Sequence, residues 1–309
     1  MIVVVCPGQG SQTPGFLTPW LELPHFRASI EAQAEASGID LIGYGTTADA
    51  DTIRDTAVAQ PLIVAAGVAT IAELLQGGTL AGAGIAGVAG HSVGEITAAV
   101  AAGVFTEADG IKFVRERGNA MAKAAALEVT SMAAVLGGDQ ADVEAKLAEL
   151  GLEPANYNGG GQIVAAGSAE GIAALKESPA AGTKVIPLQV AGAFHTRYMA
   201  PAVETLSNYA EGVAVQDPSV KLWSNNGGRV VAVGSEFVDL LVSQVKSPVR
   251  WDLCMAAMVE AGVTAIIEVA PAGTLVGLAK RGMPGIETLA LKSPDNLDAA
   301  RELIAKHSN

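Results

Sequence analysis

Short apolar runs alternate with longer amphipathic segments along most of the chain, and this alternation predicts parallel strands joined by helices. The first candidate strand covers residues 2–5, where four apolar residues precede Cys6. A second covers residues 85–89 and leads through a glycine-rich turn into the alanine-rich segment 95–102. We therefore predict an α/β fold with a mostly parallel sheet.

Proline, glycine and capping residues set the predicted ends of the longer helices. Residues 61–76 are predicted to be helical, with Pro61 in the first turn and a Gly-Gly pair after the last residue. Thr106 and Asp109 form a capping-box pattern that begins a helix extending to about Ala125. Towards the C-terminus the alternation continues, with predicted helices at 251–259, 275–280 and 297–306 and predicted strands at 265–269 and 286–291.

Residues 130–189 have a different order of predicted elements, which is strand, helix, two strands, helix and strand. This βαββαβ order is that of a ferredoxin-like α+β unit. We expect this unit to be inserted into a discontinuous catalytic domain formed by residues 1–129 and 190–309.

Composition excludes several classes of function. Half of the 309 residues are hydrophobic and 17% are charged, and no wholly apolar run reaches the roughly 20 residues that a spanning helix requires. The net charge of −13 argues against nucleic-acid binding, which depends on clustered basic residues. The two cysteines and four histidines lack metal-ligand spacing, so we expect metal-free chemistry.

The beginning of the sequence is expected to be a buried strand rather than a signal peptide, since no basic leader precedes its apolar run. A cytoplasmic location is therefore expected. Cys6 and Cys254 are too few for a disulfide framework, and we expect both to be reduced.

The strongest chemical signal is Gly90-His91-Ser92-Val93-Gly94, which lies between a predicted strand and a predicted helix. A serine nucleophile at such a sharp turn needs small neighbours. At the helix N-terminus, the helix dipole and the free N–H of Val93 could stabilise an oxyanion.

A serine nucleophile needs a base, and histidine is the side chain with a suitable pKa near neutrality. His195 follows a candidate strand among small residues, whereas His25 is expected at the surface. His307 lies near the end of the chain, where an α/β-hydrolase could place its base, although a frayed end is expected there. His91 is expected to have a packing or hydrogen-bonding role.

Several ordered motifs resemble those of malonyl-CoA:acyl carrier protein transacylases and of polyketide synthase acyltransferase domains. The resemblance covers nearly the whole chain, and the motifs that carry it are Pro7-Gly8-Gln9-Gly10-Ser11-Gln12, Gly90-His91-Ser92-Val93-Gly94-Glu95, Arg117-Gly118, Asn156-Tyr157-Asn158, Ala193-Phe194-His195 and Ser247-Pro248-Val249-Arg250-Trp251. The family fold is a hydrolase-like α/β core with a ferredoxin-like insert, which agrees with the prediction made from the element order.

The resemblance implies that Ser92 is the acylated nucleophile and His195 its base. The backbone N–H groups of Gln9 and Val93 would form the oxyanion hole. Arg117 would bind the malonyl carboxylate, because a planar guanidinium can pair with a carboxylate through two hydrogen bonds. Some relatives have glutamine at the position assigned here to Arg250, and the resemblance implies that the main-chain carbonyl there orients the histidine.

The implied reaction transfers malonyl from malonyl-CoA to the phosphopantetheine thiol of acyl carrier protein, for fatty-acid or polyketide synthesis, without a bound cofactor. Phe194, just before the histidine, would select malonyl over methylmalonyl, as a bulky residue does in related acyltransferases. We expect a monomer. Because family carriers are acidic, we also expect a local basic patch near the site, formed by residues such as Lys184, Arg250, Lys280 or Arg281.

Two other classes of function stay open from the residues alone. The first is an α/β-hydrolase, an esterase or thioesterase, that uses Ser92, His307 and an acid such as Asp217, Asp239 or Asp252. Against this alternative, the chain has no glycine-rich oxyanion segment of the kind that such enzymes carry before the serine. The second is a non-catalytic protein whose glycine-rich turns bind a phosphate or acyl ligand.

Overall fold

The fold is described for residues 1–308 of a computed structural model. Ten strands within these residues form two sheets, and the strands in chain order are β1 (Ile2–Cys6), β2 (Gly87–Gly90), β3 (Thr130–Gly137), β4 (Glu153–Gly159), β5 (Gln162–Ser168), β6 (Thr183–Pro187), β7 (Lys221–Trp223), β8 (Val249–Arg250), β9 (Ala265–Glu268) and β10 (Glu287–Ala290). The α-helices of the same residues are α1 (Pro24–Ser37), α2 (Leu41–Thr46), α3 (Thr56–Leu75), α4 (Gly94–Ala102), α5 (Glu107–Ala125), α6 (Gln140–Glu149), α7 (Ala169–Glu177), α8 (Ala200–Ala210), α9 (Gly234–Gln244), α10 (Trp251–Glu260), α11 (Thr274–Gly282) and α12 (Leu297–His307).

The first sheet has the order β10-β9-β1-β2-β7, and all of its neighbouring strands are parallel. The central strand β1 is buried along its whole length. Its alternate side chains enter two separate apolar clusters, with Ile2 and Val4 on one face and Val3 and Val5 on the other. Apolar packing on both faces explains why this strand is continuously apolar rather than alternating. The predicted α/β fold with a parallel sheet is confirmed.

The second sheet has the order β6-β3-β5-β4-β8 and is mixed. Strands β3 to β6 are antiparallel to their neighbours within the set and, with α6 and α7, follow the predicted βαββαβ order. Strand β8 pairs in parallel with β4, so that Tyr157 lies opposite Arg250. The second sheet therefore includes β8, a strand from outside residues 130–189. The division of the chain into two domains at those positions stays a prediction.

Helix α3 begins five residues earlier than the sequence predicts. Asp55 precedes it and accepts a hydrogen bond from the N–H of Ala57 at 2.8 Å, which satisfies one of the unpaired donors of the first turn. Pro61 therefore lies in the second turn rather than the first. The helix is long and apolar enough to cross a membrane, but 83% of its most apolar window is buried inside the protein, as in a core helix.

Helix α5 begins where the capping pattern predicts. The Thr106 hydroxyl accepts a hydrogen bond from the N–H of Asp109 at 3.1 Å. Helices α1, α2, α8 and α9 and strands β7 and β8 were not predicted. Strand β7 and helix α9 bear directly on the site, because Asn225, two residues after β7, and Gln244, the last residue of α9, both contact Ser92.

Candidate active site

Ser92 lies in a sharp turn between β2 and α4, at the carboxyl end of the parallel sheet. Its φ is 53°, a left-handed conformation that non-glycine residues seldom adopt. A Cβ atom at Gly90 would lie 2.0 Å from the carbonyl carbon of Gly94, and a Cβ at Gly94 would lie 2.2 Å from the oxygen of Cys6. The two glycines are therefore required by the close approach of backbone to backbone, as the sequence pattern indicates.

His195 provides the ring that contacts Ser92. Its Nε2 lies 2.7 Å from Ser92 Oγ, and its Nδ1 lies 2.9 Å from the backbone oxygen of Gln244. Since a carbonyl oxygen can only accept, Nδ1 carries the proton and Nε2 is free to accept the hydroxyl proton of Ser92. His195 also has a positive φ, of 62°, and its N–H donates to the oxygen of Val245.

The prediction that the Arg250 carbonyl orients His195 is wrong, because the carbonyl at the ring belongs to Gln244. Gln244 ends α9, a helix that the sequence did not predict, and its carbonyl accepts both from His195 Nδ1 and from the N–H of Ser247. Arg250 lies instead at the end of β8, beside β4. Its guanidinium donates two hydrogen bonds to Asp252 and lies 4.5 Å from the ring centre of Tyr157.

Burial lowers the pKa of His195 to about 3, and the positive charge of Arg117 adds to this effect. The hydrogen bond from Nδ1 to the Gln244 carbonyl opposes it. The ring is therefore neutral at physiological pH, which is the state in which it can take a proton from Ser92.

Arg117 is buried although it follows Arg115 and Glu116, which pair with each other at the surface. Its Nη1 donates to Gln60 Oε1 at 2.6 Å, and its Nη2 donates to Gln244 Oε1 at 2.7 Å. Nη2 also lies 3.5 Å from Ser92 Oγ. Its Nε is buried without a hydrogen-bond partner among the described residues.

Three buried polar residues behind Ser92 were not found by the sequence analysis as site residues. Asn225 Oδ1 accepts from the N–H of Ser92 at 2.8 Å, and Asn225 Nδ2 donates to the oxygen of Gly90 at 2.7 Å. Gln244 Nε2 donates to the oxygen of Ser92 at 3.2 Å and also to Glu95. Glu95 closes the GHSVGE motif, and burial raises its pKa while the N–H of Asn225 opposes that rise.

The predicted oxyanion residues Gln9 and Val93 both line the cavity that contains Ser92. Among residues 1–308, neither backbone N–H donates to another protein group. The side chain of Gln9 is held by a hydrogen bond to the oxygen of Arg54 at 3.2 Å.

A cavity of about 240 Å³ opens in front of Ser92. Apolar side chains form much of its wall, and Phe194 is among them, 7% exposed, together with Met121 and Met132. The second sheet contributes to this wall, so the cavity lies between the two sheets. Arg250 is not among the residues that line it.

The other histidines have separate environments. His25 is exposed on α1. His91 Nε2 lies 2.9 Å from Asn158 Oδ1 and the ring packs edge-on against Trp251, so its role is in hydrogen bonding and packing. His307 lies on α12, where its ring contacts Thr264 and Glu287.

The two cysteines, Cys6 and Cys254, are free and buried. Within the described part of the chain, no three or more His, Cys, Asp and Glu residues are grouped so as to hold a metal ion.

The chain belongs to the acyl transferase domain family, whose model matches residues 3–293. A curated relative, the malonyl CoA-acyl carrier protein transacylase of Mycobacterium tuberculosis, is 50% identical over 98% of this chain and 100% of its own length. The relative of the same name from Escherichia coli K12 is 34% identical over 97% of this chain and 98% of its own.

Solved structures give the same result for the fold. The crystal structure of MCAT from Mycobacterium tuberculosis superposes with a TM-score of 0.93 and 49% identity, and the match covers 97% of this chain and 99% of that one. A malonyl-transacylase in complex with a type II polyketide synthase acyl-carrier protein superposes with a TM-score of 0.91 and 28% identity, over 98% and 99% of the two chains.

Proposed function

We propose that this protein transfers a malonyl group from malonyl-CoA to the phosphopantetheine thiol of acyl carrier protein, through an ester on Ser92. The observation that carries the proposal is the placing of a buried guanidinium, that of Arg117, 3.5 Å from the Ser92 hydroxyl of a Ser–His pair. A site with this charge suits an acyl group that itself ends in a carboxylate. The names of the close relatives support the same reaction.

In the first half-reaction, Ser92 Oγ attacks the thioester carbonyl while its proton passes to His195 Nε2. The ring is neutral and its Nε2 lies 2.7 Å from Ser92 Oγ, so it is in the protonation state and at the distance that the transfer requires. The tetrahedral intermediate then collapses, the carbon–sulfur bond breaks, and the proton on Nε2 passes to the leaving thiolate of coenzyme A. Malonyl-Ser92 remains.

The backbone N–H groups of Gln9 and Val93 stabilise the oxyanion of this intermediate. The geometry supports this assignment, since both residues line the cavity at Ser92 and neither N–H donates to another group of the described chain. The N–H of Ser92 itself is already bonded to Asn225 and does not contribute. Donors fixed in advance cost no reorganisation when charge develops on the oxygen.

In the second half-reaction, the carrier's phosphopantetheine thiol gives its proton to His195 and attacks the malonyl ester. The ester bond to Ser92 breaks, and the serine recovers a proton from the ring. Both substrates bring their own sulfur, so the proposed chemistry requires no bound metal or cofactor. The predicted contact of the carrier with basic residues such as Lys280 and Arg281 remains a part of this proposal.

Two side chains select the acyl group. Arg117 pairs with the free carboxylate of malonyl through guanidinium N–H groups that its contacts with Gln60 and Gln244 leave unused. Phe194 lines the cavity and opposes the extra methyl of methylmalonyl. We further propose that the protein acts in the cytoplasm as a monomer.

An α/β-hydrolase that uses His307 has no support in the geometry. His307 contacts Thr264 and Glu287, whereas His195 contacts Ser92. Two of the three candidate acids are also engaged elsewhere, since Asp252 pairs with Arg250 and Asp217 accepts from the N–H of Gly234.

The test is the mass of the intact protein after it is mixed with malonyl-CoA. We expect a gain of one malonyl group, followed by its loss when a phosphopantetheinylated carrier is added. Ser92→Ala should abolish the gain and His195→Ala should slow it by several orders of magnitude, because paired groups of this kind act as a unit. Ser207→Ala, at an exposed serine on α8, is the matched control. Binding of malonyl-CoA without a covalent adduct would favour the non-catalytic alternative, and turnover by Ser92→Ala would refute the proposal.

A further inference from the structure

Glu95 lies in the first turn of α4, outside the cavity that contains Ser92, and is 1% exposed. Its Oε1 accepts from the N–H of Asn225 at 2.6 Å, and its Oε2 accepts from Gln244 Nε2. Burying a carboxylate is costly unless hydrogen bonds compensate it. Burial raises the pKa of Glu95 to about 8, but a donor faces each of its two oxygens, and this geometry is the one that an ionised carboxylate accepts.

Gln244 connects this buried carboxylate to the groups at the cavity. Its Oε1 accepts from Arg117 Nη2 at 2.7 Å, and its backbone oxygen accepts from His195 Nδ1 at 2.9 Å. A glutamine amide has a donating and an accepting end. Because an ionised carboxylate only accepts, Glu95 requires the amide nitrogen to face it, and the amide oxygen is then left facing Arg117.

We propose that Glu95 is a positioning residue for acyl selection, which fixes the Gln244 amide so that its oxygen holds the Arg117 guanidinium in place for the malonyl carboxylate. This inference rests on the proposed function, because it takes Arg117 as the group that receives that carboxylate. Glu95 does not touch the substrate. Its effect passes through Gln244.

Glu95→Gln is the informative variant because it keeps the size and removes the accepting character of one end. The new amide nitrogen then faces a donor, whichever way the amide is turned. If it faces Gln244, the Gln244 amide is driven to turn over and present its oxygen inward. Arg117 then loses the acceptor at Nη2.

The experiment compares single-turnover acylation of the whole protein by malonyl-CoA and by acetyl-CoA, followed by intact mass. We expect Glu95→Gln to lower the malonyl-to-acetyl rate ratio by about tenfold or more, the effect of disturbing a hydrogen bond to a charged group. Glu73→Gln is the matched control, because Glu73 is also buried and accepts from a backbone N–H, that of Phe26. Its ratio should equal that of the unaltered protein.

A purely structural role for Glu95 would slow both acyl groups alike, so an unchanged ratio overturns the inference. In an Arg117→Ala background, Glu95→Gln should lower the ratio no further, and an additive fall would also overturn it. If Glu95→Gln does not fold, Gln244→Leu removes the same link, and an unchanged ratio in that variant counts equally against it. Failure of the unaltered protein to accept malonyl-CoA at all refutes the proposed function, and this inference with it.

Discussion

Arg117→Ala removes the one buried cation at the cavity in the described part of the chain. The guanidinium is 1% exposed and is held by Gln60 and Gln244, both of which accept through neutral amide oxygens. Two of its five donors are used in this way, and Nε has no partner. Donors therefore remain for a carboxylate without breaking either amide contact.

The expected magnitude follows from those free donors. A hydrogen bond to a charged group contributes about 1.5–3 kcal/mol, which corresponds to roughly 10- to 150-fold in rate. Acetyl-CoA has no carboxylate and leaves the buried charge unpaired. The malonyl-to-acetyl ratio of kcat/KM should therefore fall by at least this factor in Arg117→Ala.

A competition assay with mixed malonyl-CoA and acetyl-CoA, followed by intact mass, measures the ratio directly. Arg115→Ala is the matched control, since it removes the same charge from the same helix two residues away, at a partly exposed side chain paired with Glu116. The control should keep the ratio of the unaltered protein. An unchanged ratio in a folded Arg117→Ala variant would refute the assignment of the carboxylate to Arg117.

Three further predictions concern the pocket, the base and the end of the chain. Phe194→Ser should weaken the selection against methylmalonyl-CoA by about 1–3 kcal/mol. An unchanged methylmalonyl-to-malonyl ratio of acylation rates would indicate that Phe194 only packs in the core. Because burial lowers the pKa of His195 to about 3, the ring stays neutral as the pH falls below 6.5. The value of kcat/KM should therefore begin to fall only well below pH 6.5, and a fall to half its maximum near pH 6.5 would contradict the effect of burial. Deleting the last four residues removes His307 and should leave transfer intact, whereas a hydrolase based on that histidine would lose its activity.

Features set by neighbouring residues could be predicted from the sequence. The turn at Ser92 and the start of α5 at Thr106 depend on residues a few positions apart, and the structure contains both. The start of α3 was misplaced because Pro61 is typical of a first turn, while Asp55 competes for the same role and caps the helix five residues earlier.

The residues that converge from distant segments could not be predicted in the same way. Gln60, Asn225 and Gln244 carry no motif, and their contacts with Arg117 and Ser92 exist only once α3, β7 and α9 have packed together. Their one local signal is weak. Gln60 is a polar residue between apolar neighbours in a buried helix, which indicates a hydrogen-bond partner but not its identity.

The central position of β1 has a consequence for synthesis of the chain. Its pairing partner β9 lies more than 250 residues later, so that Ile2 faces Ala265 across the sheet. At a translation rate of about 5–20 residues per second, one edge of this apolar strand stays unpaired for roughly 13–50 s. During that time the nascent chain presents an unpaired strand edge with which other chains can pair. A truncated chain that ends before β9 lacks the strand that would pair with this edge of β1. Truncated chains of this protein should therefore aggregate rather than accumulate as partly active fragments.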